Sequence, residues 1–559
     1  MKEIIIILGA GVMQGPALKT ARELGFYTIA LDGSSSAPCV SLADRFEKID
    51  LKDKEGIEVF ANSVQKTAKR LGIMTAGTDF SASVAWTAEK LGLPGIPYEA
   101  ALNASDKSRM RECFKKASLP SPEFFTITKQ DNIKNIPIPF PLVIKPVDNM
   151  GSRGCRRVND IEEFHEAAEN AINYSRSGKA IAEVFMDGPE FSVDAIVYHG
   201  EITICGLADR HIFFPPYFIE MGHTMPTVFD MEKQSAILET FCAAVHSLGL
   251  CGKDYIGAAK GDIKLTSKGP MIGEVAARLS GGYMSGWTYP YSSGVNPVKA
   301  AILMAMGRKP EGLVPDKKWT CAERAFISIP GTVRQITGTE NTGNQPFVND
   351  LFLRIKEGTK VTFPENNVTK CGNIIASAPD RETAIKAAET AACSVLIRLD
   401  PSDLETKKFL QDFSRRGAGE QRHREDPQFP PDAYIITEDI LEALSQLPDN
   451  HNINVGNNNI SNINFANQRL CENSPLQISL IPFPELTTST LTDYMGRTVN
   501  EALDAVRLLT GLQLGMSICN SPENAENTII LGRSFWSALI RGSYQGAVYY
   551  IDNLGVKID

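Results

Sequence analysis

The sequence predicts an α/β and α+β multidomain protein: a Rossmann-like domain, a two-lobed core, a β-rich closing subdomain and a mostly helical C-terminal extension. Three stretches carry that expectation. Residues 4–8 are a continuous Ile-rich run that stops at Gly9-Ala10-Gly11, as a buried parallel strand does before a tight turn. Residues 140–145 are a second apolar run, ending on Lys145 ahead of the loop Gly151-Ser152-Arg153-Gly154. Residues 261–282 hold two short segments around Lys268-Gly269-Pro270, which reads as an antiparallel hairpin.

The chain has 559 residues, too many for one hydrophobic core. Hydrophobic residues make up 43% and charged residues 22%, the balance of a globular, soluble protein. The net charge of −9 excludes a dedicated nucleic-acid binder, whose footprint would be basic, so no nucleic-acid partner is expected. The 11 cysteines are odd in number and show no C-x-x-C pair; reduced thiols in a cytoplasmic protein without structural zinc are expected. The first apolar run is too short for a signal peptide core, and none reaches the roughly 20 residues of a membrane span, so no membrane partner is expected.

In the first domain, residues 1–103, the Gly9-Ala10-Gly11 turn leads into a helix with Ala17, Leu18, Ala21 and Leu24 on one face. A strand then closes on Asp32. That is a βαβ unit, and Asp32 stands where a dinucleotide fold reads a ribose. Against that reading, the third glycine, Gly15, falls one position late, and Pro16 opens the helix.

The core spans residues 104–310, with a small lobe over about 118–186. A lysine at a strand end, such as Lys145, can reach phosphate oxygens while its stem stays buried. Gly151, Ser152, Arg153 and Gly154 can fold backbone N–H groups over phosphates. Strands at 191–198 and 201–207 flank His199-Gly200, residues 209–226 read as a polar-aromatic loop, and residues 236–248 as a helix. In the hairpin, Asp262 and Lys264 share a face, as do Ile272 and Glu274, so the two carboxylates stand side by side across the ladder. Like charges that close repel unless a divalent cation lies between them. Arg278 follows, placed to neutralise a phosphate, and then Gly281 and Gly282.

Residues 311–400 read as a β-rich subdomain ending in a helix from 381 to 396. In the extension, 401–559, residues 415–427 are charged and 450–467 form an Asn-rich insert. Helical periodicity returns at 495–514, with Val499, Leu503, Val506 and Leu509 near one face, and at 534–554. There Gly542 and Gly546 would let another helix approach closely.

Over roughly residues 1–400 the chain resembles the ATP-grasp superfamily, in its carboxylate–amine ligase branch of L-amino acid ligase-like and carbamoyl-phosphate synthetase-like proteins. The resemblance rests on the glycine turn with Gln14, the Ala43-Asp44 pair, Lys107, the Ile144-Lys145-Pro146 strand end, the acidic segment from Glu183 to Glu190, and Asp262, Glu274 and Arg278. It implies ATP between two lobes, its phosphates held by Lys107, Lys145 and the Gly151–Gly154 loop. It makes Glu183 the start of a hinge whose backbone at Val184 meets the adenine edge, with Met186 covering the base and Glu190 accepting the ribose hydroxyls. Asp262 and Glu274 would hold Mg2+, with Mn2+ as a substitute, and Arg278 would be catalytic. Glu220, His223, Gly281 and Gly282 would line the pocket for the acceptor substrate.

The implied activity joins a small-molecule carboxylate to an amine through an acyl phosphate, releasing ADP and phosphate, in a homodimer. Two departures stand out: aspartate at 262 where the family usually has glutamate, and Ala276 where it usually has a ligating asparagine. Two other readings stay open, a carboxylase or phosphoribosyl-amine-type ligase of the same fold, and a non-catalytic ATP-binding regulatory protein.

Overall fold

The computed structural model describes residues 1–131, 133, 135–416, 429–449, 451–453, 477–516 and 528–554. It divides into two compact units. The first holds residues 1–324, 365–367 and 375–388; the second holds 325–364, 368–374 and the described residues from 389 onward.

The first unit opens with β1 (Glu3–Leu8), β2 (Tyr27–Asp32), β3 (Arg45–Lys48) and β4 (Arg70–Thr75), a parallel sheet in the order β3-β2-β1-β4. Ile4, Ile6 and Leu8 pack with Ile57, Ala61 and Val64 on one face. Ile5 and Ile7 pack with Ala17, Leu18 and Ala21 on the other. A strand covered on both faces has no polar side, which is why the run is uninterrupted. Asp32 is engaged by its own turn: its carboxylate accepts the Ala10 and Ser34 N–H groups, each at 2.9 Å.

The small lobe is the antiparallel sheet β5 (Phe124–Thr128), β6 (Leu142–Pro146), β7 (Arg156–Val158) and β8 (Lys179–Val184), ordered β5-β8-β6-β7. The helix Ile161–Tyr174 covers it through Phe164, Ala168 and Ala171.

The large sheet of this unit joins β9 (Glu190–Tyr198), β10 (Glu201–Phe213), β11 (Ile219–Met225), β12 (Ile256–Thr266), β13 (Gly269–Ala276) and β14 (Thr320–Phe326) in the order β13-β12-β9-β10-β11-β14. Strict alternation sorts its side chains. Phe191, Val193, Ala195, Val197 and Ile263 face a core shared with Ile237, Phe241 and Val245 of the helix Met231–Ser247. Glu190, Ser192, Asp194, Lys260, Asp262 and Lys264 take the alternate positions of β9 and β12, on the opposite face. A half-buried polar face holds only where its charges find partners.

Two expectations are corrected here. Residues 209–226 are not a loop: β10 runs to Phe213 and β11 starts at Ile219. A β-bulge breaks the period-two pattern, because His211 pairs with Gly222 while Ile212 pairs with Glu220. The extra residue, Met221, brings Glu220 onto the face of Arg210 and His223. Ile272 and Glu274 do not share a face either. Asp262 pairs with Glu274 but Ile263 with Ile272, so Gly273 is a bulge that sends Ile272 to the core and Glu274 to the polar face. A Cβ on Gly273 would lie 2.9 Å from the Asp262 carbonyl oxygen, which leaves room only for glycine.

The second unit contains β15 (Gly331–Thr337), β16 (Val348–Leu353), β17 (Lys360–Val361), the start of β18 (Gly372–Ala378) and β19 (Leu396–Leu399). Strands β17, β15 and β19 form one sheet in that order. Beyond residue 400 the helices Leu404–Arg416, Glu438–Gln446, Val499–Thr510 and Arg533–Asn553 dominate. A four-stranded sheet absent from the sequence reading accompanies them: β20 (His451–Ile453), β21 (Gln477–Leu480), β22 (Gly515–Met516) and β23 (Thr528–Leu531), in the order β20-β23-β21-β22.

Val499, Leu503, Val506 and Leu509 all enter one core with Phe535 and Trp536, as their periodicity predicts. A Cβ on Gly542 or Gly546 would come within 2.9 and 3.0 Å of Leu410, so those glycines do admit a neighbouring helix. The charged stretch 415–427 and the Asn-rich insert 450–467 lie outside the described residues except at 415–416 and 451–453. Among the described residues no helix is long and apolar enough to cross a membrane.

Candidate functional site

The polar face of the large sheet carries Glu190, Glu220, His223, Asp262 and Glu274, and Lys107, Lys145 and Arg278 act on Glu274 from around it. Lys107 opens the helix Lys107–Lys116, whose N-cap Asp106 accepts the Ser108 and Arg109 amides. Its buried ammonium lies 3.3 Å from Glu274 Oε1 and donates to the Asn149 carbonyl at 3.0 Å. Lys145, on β6, reaches Glu183 Oε2 at 2.7 Å, and Arg111 Nε reaches Glu183 Oε1 at 2.8 Å. Glu183 is 2% exposed. Burial alone would raise its pKa, but Arg111 and Lys145 outweigh that and hold it below the ordinary carboxylate range. Its carboxylate therefore aims Lys145. The Val184 and Phe185 amides donate to the Glu123 and Pro141 carbonyls at 3.0 and 2.9 Å.

In the loop, Gly151, Ser152 and Gly154 have φ of 71°, 58° and 67°, a left-handed path that glycine adopts at little cost. Arg153 Nε turns back to the Met150 carbonyl at 3.0 Å. Asn367 ties this loop to β11. Its N–H donates to the Gly151 carbonyl at 3.0 Å and its Nδ2 to Ser152 Oγ at 3.2 Å, while its Oδ1 accepts the Glu220 N–H at 2.8 Å.

Asp262 and Glu274 stand opposite each other in register. Burial would raise the Glu274 pKa, but Lys107, Lys260, Lys145 and Arg278 surround it and bring it down to about 2. Its side chain is 38% exposed, so solvent screens part of that field. Asp262 is held more tightly. Lys260 Nζ contacts its Oδ2, Arg210 Nη1 lies 2.9 Å from its Oδ1, and Ser192 Oγ is 3.4 Å away. Arg210 also pairs with Glu190 and donates from Nε to Glu220 Oε2 at 3.1 Å, so one guanidinium joins three carboxylates. The Arg111 guanidinium supports the bulge, donating to the Gly273 carbonyl at 2.6 Å.

Arg278 donates from Nη1 to the Leu279 carbonyl at 3.0 Å, and the next residue, Ser280, donates to Asp194. The chain then passes the Rossmann-like domain: Ala76 bridges Leu279, and a Cβ on Gly281 would lie 3.3 Å from the Gly77 carbonyl oxygen. Gly282 has φ of 59°, which favours glycine, and a Cβ there would crowd its neighbours, lying 3.0 Å from Glu220 Oε1 and 3.1 Å from His223 Cε1. Glu220, His223, Gly281 and Gly282 are thus neighbours.

His223 is fully buried between two acids. Nδ1 lies 3.1 Å from Glu323 Oε2, and Nε2 is 3.3 Å from Glu220 Oε1, close enough for attraction but without hydrogen-bond alignment. Burial opposes a charged imidazole, yet the two carboxylates raise its pKa to about 9. A raised histidine pKa contributes stability that is whole below the unfolded value, about 6.5, and lost as pH climbs through the folded one. The full-length protein is therefore expected to lose on the order of 3 kcal/mol between pH 6.5 and 9. Urea melts of wild type and His223→Gln check this; equal pH slopes for the two would remove the imidazolium.

Arg210, Lys260, Glu323, Arg111 and Asn367 were not singled out in the sequence. For Lys260 a signal existed, since it alternates with Asp262 on one strand. For Arg111, Glu323 and Asn367, partners 72 to 215 positions away supply the meaning, and for Arg210 the strands β9, β11 and β12 supply it; nothing local marks any of them.

Among the described residues no three His, Cys, Asp or Glu side chains gather to cage a metal ion. Two facing carboxylates suit Mg2+ instead, which is held by one or two carboxylates and completed by substrate phosphate oxygens and water. The cations around Glu274 suit a polyphosphate.

Residues 138–285 match the ATP-grasp domain, and residues 325–400 match the L-amino acid ligase C-terminal domain 2. The chain is 23% identical to carnosine synthase 1 of Gallus gallus over 335 residues, 55% of this chain and 36% of that protein. It is 28% identical to alanine–anticapsin ligase of Bacillus subtilis over 252 residues, 40% of this chain and 52% of that protein. The match thus spans about a third to a half of these relatives. Among solved structures, L-amino acid ligase from Bacillus licheniformis superposes with a TM-score of 0.64 at 22% identity, over 71% of this chain and 99% of that one.

Proposed function

We propose that this chain, which carries an ATP-grasp domain followed by an L-amino acid ligase C-terminal domain, is an ATP-dependent carboxylate–amine ligase acting on amino acid-type substrates. One observation supports this most. Lys107, Lys145, Lys260 and Arg278 surround Glu274, and the same sheet face carries the Glu220–His223 pocket. An anion site for a polyphosphate thus adjoins the Glu220 carboxylate, a hydrogen-bond acceptor for an amine.

In this reading Lys107, Lys145 and the Gly151–Gly154 loop hold the ATP phosphates, and Glu190 receives the ribose hydroxyls. The Met186 N–H donates to a ring nitrogen of the base and a hinge carbonyl oxygen accepts its exocyclic amine, because the Val184 and Phe185 N–H groups are already engaged. Mg2+ bound by Asp262 and Glu274 would neutralise phosphate oxygens. The substrate carboxylate attacks the γ-phosphorus and ADP leaves. The amine then attacks the acyl carbon of the acyl phosphate, and phosphate leaves with the bonding pair. Arg278 stabilises charge on the transferring group, and Glu220 with His223 orients the amine.

The test is to incubate the full-length protein with ATP and pools of amino acids and carboxylic acids, following ADP and product mass. An amide whose mass is the sum of two substrates less water supports the ligase. ADP appearing only with bicarbonate would point to a carboxylase, and ATP binding without turnover to a regulatory protein. Lys145→Ala is expected to weaken ATP binding roughly 10- to 100-fold, the worth of one charged hydrogen bond. Its melting temperature should change little, because Glu183 keeps Arg111. Unaltered affinity in a titration would take Lys145 out of the site.

A further inference from the structure

We propose that Lys260 is a built-in cation standing where a second divalent ion would otherwise bind, so that this site takes one metal ion per nucleotide. The inference rests on the reading of Asp262 and Glu274 as metal carboxylates. In the β12–β13 register Asp262 faces Glu274 and Lys260 faces Ala276. The four side chains form the corners of one patch on one face of the sheet. Three corners are charged; the fourth is a methyl group with no donor for a metal.

Lys260 turns toward Asp262 and contacts Oδ2 directly, while Arg210 lies 2.9 Å from Oδ1. Both Asp262 oxygens are thus matched by protein cations, and all three side chains are nearly buried, at 11 to 13% exposed. Glu274 differs. Among the described residues its one ion pair is with Lys107 at 3.3 Å, and its side chain is 38% exposed.

An incoming ion therefore meets Glu274 as the more open carboxylate and has to share Asp262 with Arg210 and Lys260. To bind Asp262 on the Lys260 side as well, a second ion would have to push a buried ammonium off its one carboxylate partner among the described residues, with no ligand from Ala276 in return. Lys260 is also one of the four cations acting on Glu274, so its charge is directed at the space where phosphate oxygens would collect. Unlike a dissolved ion, a tethered ammonium needs no recruitment from solution.

The test counts Mn2+ on the full-length protein by electron paramagnetic resonance, with a non-hydrolysable ATP analogue present. One tightly bound ion per chain is expected for wild type and for Lys260→Arg. Lys260→Met removes the ammonium while Asp262 keeps Arg210, and should tighten a second ion at least about tenfold. Ala276→Asn alone, with Lys260 in place, should stay at one ion. Two equally tight ions in wild type would overturn the inference without any variant, and so would an unchanged count in Lys260→Met. Failure of the analogue to bind at all in calorimetry would overturn the ligase reading itself, a separate outcome seen before any ion is counted.

Discussion

A chain cut near residue 400 is expected to be insoluble or to unfold far below the full-length protein, although the family resemblance ends there. The cut runs through one folded unit. Arg398, 8% exposed, pairs with Asp552 through Nε at 3.1 Å and Nη2 at 2.5 Å. Without Asp552 a buried guanidinium is left unmatched, a loss of about 3–5 kcal/mol. Tyr544 Oη accepts the Ile397 N–H at 2.9 Å, and Gln545 Oε1 accepts the Ile329 N–H at 3.1 Å. Each amide left without a partner costs about 1–3 kcal/mol. Leu396 would also lose the core it shares with Trp536, Leu539 and Val548. Together these losses rival the whole stability of an ordinary domain, about 5–15 kcal/mol. Expression of residues 1–400, followed by sedimentation and circular dichroism, decides the matter. A soluble fragment melting cooperatively within a few degrees of wild type would show the extension to be dispensable.

Glu274→Gln is expected to lower turnover by roughly 10³-fold while nucleotide still binds. The change keeps the shape and removes one charge from a carboxylate that four cations hold near pKa 2. With that charge gone, Lys107, Lys260, Lys145 and Arg278 attract phosphate at least as strongly as before, so ATP affinity should survive. What is lost is the carboxylate that would hold Mg2+ on the transferring phosphate, worth several kcal/mol in the transition state, or about 10³ in rate. The same low pKa means that Glu274 stays ionised through any workable acid range, so the acid limb of a pH–rate profile will not come from it. Single-turnover rates beside a nucleotide titration separate the two effects. A rate within tenfold of wild type would refute the assignment. A fall in melting temperature is also expected, since buried Lys107 loses its ion-pair partner.

Much of the candidate site was legible because its residues sit at positions that local pattern reveals. Lys145 ends an apolar run, Asp262 and Glu274 lie on a hairpin with a clear turn, and Gly151–Gly154 is a compact glycine loop. The β1 strand and the helix Val499–Thr510 followed from hydrophobic runs and periodicity alone.

What the sequence determined by itself, then, was the order of elements and the types of residue delivered to one place, because strand, turn and helix signals are local. The tertiary structure decided which way those residues point and what they meet. A one-residue bulge at Gly273 or Met221 reverses every side chain beyond it, and no local periodicity announces it. Glu183 reads as a hinge acid until Arg111, 72 positions earlier, closes on it. Arg210 looks like any strand charge until the sheet brings Glu190, Glu220 and Asp262 around it. Ion pairing in a half-buried face depends on distances through space, and only the folded sheet sets those.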